Sequence, residues 1–539
     1  MTATLHLDDA AGLDAPAVLA IARGELVPEL GDQLIRRLDA RRAELLGALA
    51  AGGPVYGVTT GMGALSQRSL SEIAQPRHQE ALMTARAVGG PPWLSPAETR
   101  AVLAVRLRTF LNGDAAVGSA LCRRLAESIA YGMLPAVPRR STGVAGEITG
   151  LAHLGAALTG TGEVLSGRGV LPASPALAAA GLNPLRLGPK EGIALIEGIP
   201  MTTALAVLAG ADARTVLQHA LTVVAAEFAV TGAARDVLDA RLIRGDDTLA
   251  ATTALLRGLA GTVTRPRALQ PPVSFRASAQ VLAHLARTID ALDSAVVRAL
   301  TEVTDSPAFL GTQFVGSAGF YGYDLSTHLH ALTVALIGAT ELSTTRLHRL
   351  MDPAISGLPA QLAAEPGPQT GFPPVHKRAV GVAHELRRQA IPSIIGPVET
   401  SGGQEDAQAF SLEAAQSCRI ALDGAIEVLA CELLAVHQAR CLGGTLPDDA
   451  AQLGTALDAL TAGLTTSTAD RPFGRDIETL RDRLVHRRHP GALTARSGSR
   501  PGDPDVLSAQ LADPAGSAGL DAAGGERVPG GRTTGRSAK

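Results

Sequence analysis

Residues 56–63 read Tyr-Gly-Val-Thr-Thr-Gly-Met-Gly. Glycines at 57, 61 and 63 let the backbone bend and approach a ligand closely, and they place Tyr56 on a loop rather than in a regular element. Taken alone, Gly61-Met62-Gly63 suggests a dinucleotide loop. That reading fails, because no strand–helix unit surrounds the stretch and no acid follows at the needed distance. Working outward, the first half of the chain alternates short helical stretches with Gly/Pro-rich loops at 52–54, 89–92, 137–150 and 187–200. From about Met201 the pattern changes. Segments 201–232, 275–301, 325–350, 376–390 and 404–440 each read as a long helix with few breakers, which predicts a bundle. The loops at 270–276, 304–322 and 366–374 hold unusual polar residues on that scaffold, where chemistry is commonly sited.

Composition narrows the class. Of 539 residues 46% are hydrophobic but only 3% aromatic, so Leu, Ala and Val must fill the core of a mainly α protein. A net charge of −3 argues against a nucleic-acid partner. Cys122, Cys418, Cys431 and Cys441 form no CxxC and read as free thiols of a reducing, cytoplasmic setting. No metal site is predicted, since His384-Glu385 lacks a second histidine at zinc spacing. The stretch from Met1 to Asp14 has no apolar core for a signal peptide, and no run of roughly eighteen uncharged apolar residues stands out, so no membrane partner is expected. The reading divides the chain into an active-site domain at 1–200, a long-helix bundle at 201–445, a small helical segment at 446–495 with a basic end at Arg481–His489, and a tail at 496–539. That tail is too poor in apolar residues to offset its ordering entropy and is predicted to be disordered.

Four motifs, in order along residues 50 to 440, carry a resemblance. Tyr56 to Gly63 resembles the "YG(V/I)xTGxG" signature of the histidine/phenylalanine ammonia-lyase family. Leu151-Ala152-His153-Leu154 with Gly160 to Val164 is similar to "LAHLALALIGEGEV". Pro189-Lys190-Glu191-Gly192-Ile193-Ala194-Leu195 is similar to "AKEGLALLNGT", and Thr400-Ser401 with Gln404-Glu405-Asp406 to "PTSxxQED". Smaller echoes lie at 270–276, 320–322 and 343–346. The resemblance implies an ammonia-lyase-like fold with a central bundle of long helices and an N-terminal active-site domain. It also implies a homotetramer whose sites draw on three subunits, with Tyr56 as the base that removes the β-proton.

The pattern breaks where the family builds its cofactor. Members cyclise an internal Ala-Ser-Gly into a methylidene-imidazolone, and the serine must lose water. Aligned on Leu151-Ala152-His153, that triplet falls on Val144-Ala145-Gly146, and alanine has no hydroxyl to eliminate. Ser141 and Thr142 are near but sit outside the small-residue pattern that cyclises. The expected cofactor set is therefore none. Other positions change with it. The asparagine after "ALL" becomes Glu197, and the "TQ" beyond becomes Ile199-Pro200. Arg86 stands where histidases carry histidine. "QDPYSLR" loses its aspartate and tyrosine to Pro271 and Val273 but keeps Gln270, Ser274 and Arg276. "NFHG" becomes Gly319-Phe320-Tyr321-Gly322, and the "SGFMIAQ" segment ends in His376, followed by Lys377.

These residues define candidate roles. Tyr56, Glu197 and Tyr321 are the catalytic candidates. Arg276 is placed to grip a substrate carboxylate, and Arg86, Gly63, His376, Lys377 and Glu405 to contact other parts of the substrate. Each has a plainer reading. Tyr56 would merely pack in its loop, and Arg276 would brace a helix start. Glu197 would pair with Arg86 or Lys377, and Tyr321 would fill core space. Without the ring, the substrate must bring its own activation. Two routes fit: base-driven β-elimination of a good leaving group, such as the quaternary ammonium expelled by ring-less, ergothionase-like relatives, or the reverse conjugate addition or cyclisation onto a conjugated acid. A non-catalytic metabolite- or partner-binding protein and a conventional ring-bearing lyase remain as alternatives.

Overall fold

The structure is a computed structural model, and it describes residues 2–486 other than Ser141, Arg168 and Pro397. The predicted tail and the end of the basic segment lie outside those residues. The helices that frame the site are α1 (Ala74–Arg86), α2 (Pro96–Leu111), α3 (Ile148–Leu158), α4 (Glu191–Ile196), α5 (Pro200–Thr231), α6 (Ser278–Thr301), α7 (Tyr323–Leu350), α8 (Pro373–Leu386) and α9 (Ser411–Cys441). Strands among the described residues are short and pair two by two: Ala3–Leu7 with Leu26–Leu30 in parallel, Glu163–Ser166 with Gly169–Pro172 and Ala308–Leu310 with Gln313–Val315 as antiparallel pairs. The fold is the predicted bundle of long helices.

Each long helix has local causes. Pro200 opens α5, where its missing N–H costs nothing, and Gly232 closes it in the left-handed region at φ 61°. Ser95 and Glu98 form a reciprocal capping box at the start of α2. In α6, Leu282, Leu285, Ile289, Leu292 and Val296 recur at helical spacing and are all buried. The segment Glu191–Thr231 is apolar enough to satisfy a membrane-span test, contrary to the expectation that no such run exists, but 94% of its apolar window is buried inside the protein. It comprises α4 and α5, both packed into the core.

The last predicted long helix, at 404–440, starts late. Residues 398–410 form a folded loop held by side chains: Gln408 donates to Thr400 Oγ1 and to the Glu405 carbonyl, and its own carbonyl accepts from Val398 N–H. Phe410, at φ 44°, ends that loop before Ser411 begins α9.

The helix directions create the site. Thr202 at the start of α5 donates to Ser411 at the start of α9, 2.9 Å away. A Cβ on Gly322, just before α7, would touch Ser411 and Ile199. Far along the same helices, Arg346 of α7 pairs with Glu227 of α5 and Glu432 of α9. The three helices therefore run parallel, with their N-termini gathered at one end. Ser278 at the start of α6 also meets Arg346, so α6 runs the other way and returns the chain, through Thr304 and Asp305, to the same end.

Candidate active site

At that end the Tyr56 loop, the 144–146 triplet, the break between α4 and α5 and the 398–410 loop converge. The half-buried Tyr56 hydroxyl accepts the Gly63 N–H at 2.8 Å. Gly63 lies against Ser401, whose hydroxyl donates to Glu405 at 2.8 Å. The other oxygen of Glu405 accepts the Ala145 N–H at 2.7 Å. Gly146, at φ 80°, sits close against the Gly198 and Phe320 carbonyls. Glu197 precedes Gly198 and is buried. A continuous path of contacts thus joins Tyr56, Gly63, Glu405, Ala145, Gly146 and Gly198, the residue after Glu197. Tyr321 follows Phe320 and stacks parallel on Tyr323, with centroids 6.2 Å apart.

Arg86, the last residue of α1, faces Tyr56, Glu197 and Glu405 electrostatically and makes no ion pair among the described residues. Its guanidinium is half-buried.

Burial raises the Tyr56 pKa above its usual value; Glu197 and Glu405 add to this, while the Gly63 N–H and Arg86 oppose it. Burial, together with Asp305, pushes Glu197 up to about 8. From its ordinary 4.5 to that value the folded chain holds a proton the unfolded chain has lost, so stability falls as pH rises through this window. Glu197→Gln is therefore expected to flatten the decline of melting temperature between about pH 5 and pH 8. An unchanged slope would show that Glu197 is ionised throughout.

Several supporting residues were not picked out from the sequence. Glu147, directly after the triplet, accepts the Met201 and Thr202 N–H groups at 2.6 Å each, filling the positive N-terminal pole of α5. Burial outweighs those bonds and raises its pKa to about 7. Arg106 of α2 is fully buried and donates to the Ala194 and Glu197 carbonyls at the end of α4. Lys190 and Asp305 form a buried ion pair behind Glu197. A signal existed for Arg106, a lone charge inside the apolar run 101–107. None existed for Glu147, whose partners are backbone amides distant in sequence.

The remaining candidates are elsewhere. Arg276 is exposed and bonds only weakly to Gln270, at 3.3 Å. Its neighbour Phe275 packs edge-on against Phe228, near the far end of α5 and on the order of 40 Å from Pro200 at the helical rise. His376 stacks on His348 at 4.8 Å, near the far end of α7, with exposed Lys377 beside it. One chain thus gathers Tyr56, Gly63, Arg86, Glu197, Tyr321 and Glu405 around residues 144–146, and leaves Arg276, His376 and Lys377 at the opposite end of the bundle.

Residues 13–462 match the model of the aromatic amino acid lyase family. The chain belongs to that family. It is 32% identical over 466 residues to a histidine ammonia-lyase of Aromatoleum aromaticum, covering 83% of this chain and 87% of that one. A histidine ammonia-lyase of Gloeobacter violaceus is 30% identical over 488 residues, with 87% and 94% covered. Among solved structures, the tyrosine aminomutase of Streptomyces globisporus superimposes with a TM-score of 0.83 at 26% identity, over 90% of this chain and 97% of that one. The fold is shared equally with the ergothioneine-degrading ergothionase of Treponema denticola, solved with desmethyl-ergothioneine sulfonic acid (TM-score 0.83, 23% identity, 89% and 98% covered). By family this aromatic amino acid lyase relative is a lyase. Its triplet does not fit the family's ring: Val144-Ala145-Gly146 offers no hydroxyl, and the Ala145 N–H is held by Glu405. Ser141, the nearest serine before it, lies outside the described residues.

Proposed function

We propose that this protein is a cofactor-less lyase that eliminates an amine from a small carboxylate substrate, one whose nitrogen is already a good leaving group such as a quaternary ammonium. The observation that carries the reading is the meeting of Tyr56, Arg86, Glu197 and Glu405 beside a triplet with no serine. Arg86 receives the carboxylate. Glu405 faces the cationic end, and the buried Glu197 offers it a hydrogen bond and gives up its own proton as the bound cation draws its pKa down. Tyr56, as its phenolate, takes the β-proton and becomes the neutral phenol, the C–H electron pair becomes the new Cα=Cβ bond, and the Cα–N pair leaves with the neutral amine. A bound cation would also draw the Tyr56 pKa downward, countering the rise caused by burial and carboxylates. The reverse reaction, conjugate addition or cyclisation, uses the same groups.

Arg276, His376 and Lys377 fit this scheme as residues delivered by neighbouring copies in a homotetramer. Four free cysteines favour a cytoplasmic setting.

Mass spectrometry with a substrate panel tests the proposal. The native assembly is expected to contain four chains, and the denatured chain to keep its full sequence mass. Incubation with trimethylammonio carboxylates and α,β-unsaturated acids is expected to release or consume an amine. A chain lighter by two waters would overturn the cofactor-less reading, and no turnover across the panel would overturn the elimination.

A further inference from the structure

Gln79 is fully buried in the middle of α1. Its amide nitrogen donates to the Gly57 carbonyl at 2.8 Å, one residue after Tyr56. Its amide oxygen accepts the Ile193 N–H at 3.1 Å, in the helix that ends at Glu197. The surrounding backbone is packed too closely for slack. A Cβ on Gly57 would lie 2.3 Å from Ile193 Cδ1, and a Cβ on Gly192 would lie 2.5 Å from the Gln79 carbonyl oxygen. Gln79 also stands seven residues before Arg86, two helical turns and so nearly the same face of α1. One side chain therefore ties the loop of Tyr56 to the helix of Glu197, and its own helix carries Arg86.

A planar amide suits this task. It offers a donor and an acceptor on rigidly opposed atoms, so both neighbours are fixed at once. An aliphatic side chain of the same length would fill the space and leave the Gly57 carbonyl and Ile193 N–H without these partners.

We propose that Gln79 is a positioning residue whose single amide fixes the spacing among Tyr56, Arg86 and Glu197, and with it the charge coupling of the reacting groups. The proposal rests on the reading of Tyr56 and Glu197 as partners in one site, but its test needs no substrate. The sequence contains only four tyrosines, so the ionisation of Tyr56 can be followed by tyrosinate absorbance as the difference between a protein and its Tyr56→Phe counterpart.

Four proteins are titrated, each beside its Tyr56→Phe counterpart: the parent, Glu197→Gln, Gln79→Met and the double variant. In the parent background, removing the Glu197 charge is expected to lower the Tyr56 midpoint by about half a pH unit. In the Gln79→Met background that shift is expected to fall to less than half its size. Gln79→Asn, which keeps the amide one methylene short, is expected to behave like Gln79→Met and serves if the methionine variant does not fold. A purely structural role would lower the melting temperature and leave the coupling intact. Full-size coupling in a folded Gln79 variant overturns the proposal. No shift on Glu197→Gln in the parent background overturns the pairing of Tyr56 with Glu197 itself, a separate failure.

Discussion

Tyr56→Phe is expected to lower turnover by about 100-fold or more on whichever panel substrate is active, with little change in melting temperature. The ring of Tyr56 is only half-buried and Phe keeps it, so packing is preserved. What disappears is one oxygen, which accepts the Gly63 N–H and faces Glu197, Glu405 and Arg86. The loop is held independently: Gln79 fixes the Gly57 carbonyl, and Thr59 bonds back to Val55 and Gly53. A loss confined to kcat would place the oxygen in the transition state, whereas a rise in KM alone would make it a binding group. Retention of full turnover would remove Tyr56 from the proton transfer. Since burial leads the upward shift of the phenol, the rate is also expected to rise with pH across neutrality.

Arg346→Met is expected to cost about 3–5 kcal/mol of stability, read by urea denaturation at neutral pH. Arg346 is the buried cation between Glu227 and Glu432, at 2.8 Å from each, and it also reaches Ser278. Ser343 donates to Glu432 at 2.5 Å, but no other cation pairs with either carboxylate among the described residues. Methionine leaves two buried acids facing each other without a cation between them. Burial, followed by repulsion from Glu432, already raises the Glu227 pKa well above the carboxylate range. The folded state therefore binds protons that the unfolded state releases, and the penalty is expected to shrink as pH falls towards 5. Adding Glu227→Gln and Glu432→Gln to Arg346→Met is expected to recover most of the loss. If Arg346→Met alone is as stable as the parent, the triad does not join α5, α7 and α9 energetically.

Much of this was legible in order along the chain. Runs of Ala, Leu and Val with few breakers specify long helices through local propensity and periodicity, so α5, α6, α7 and α9 lie close to their predicted positions. Motif order specified the family. The start of α9 was not legible, because Gln408 and Glu405 spend their hydrogen bonds on a loop whose partners include Ala145, far away in sequence. The echo at 343–346 was visible without its role, since Arg346 acquires meaning only beside Glu227 and Glu432.

The sequence by itself determined two things about this protein: long helices, which depend on neighbours a few residues apart, and the missing hydroxyl at residue 145, which is a matter of composition. Tertiary structure alone decided which candidates share a site. Parallel packing of α5, α7 and α9 brings their N-termini to Tyr56 and Glu197 and carries Arg276, His376 and Lys377 to the other end. It also gave Glu147, Arg106 and Gln79 their work, because a buried polar group is defined by the partner that satisfies it, and those partners are backbone groups that no local pattern reveals.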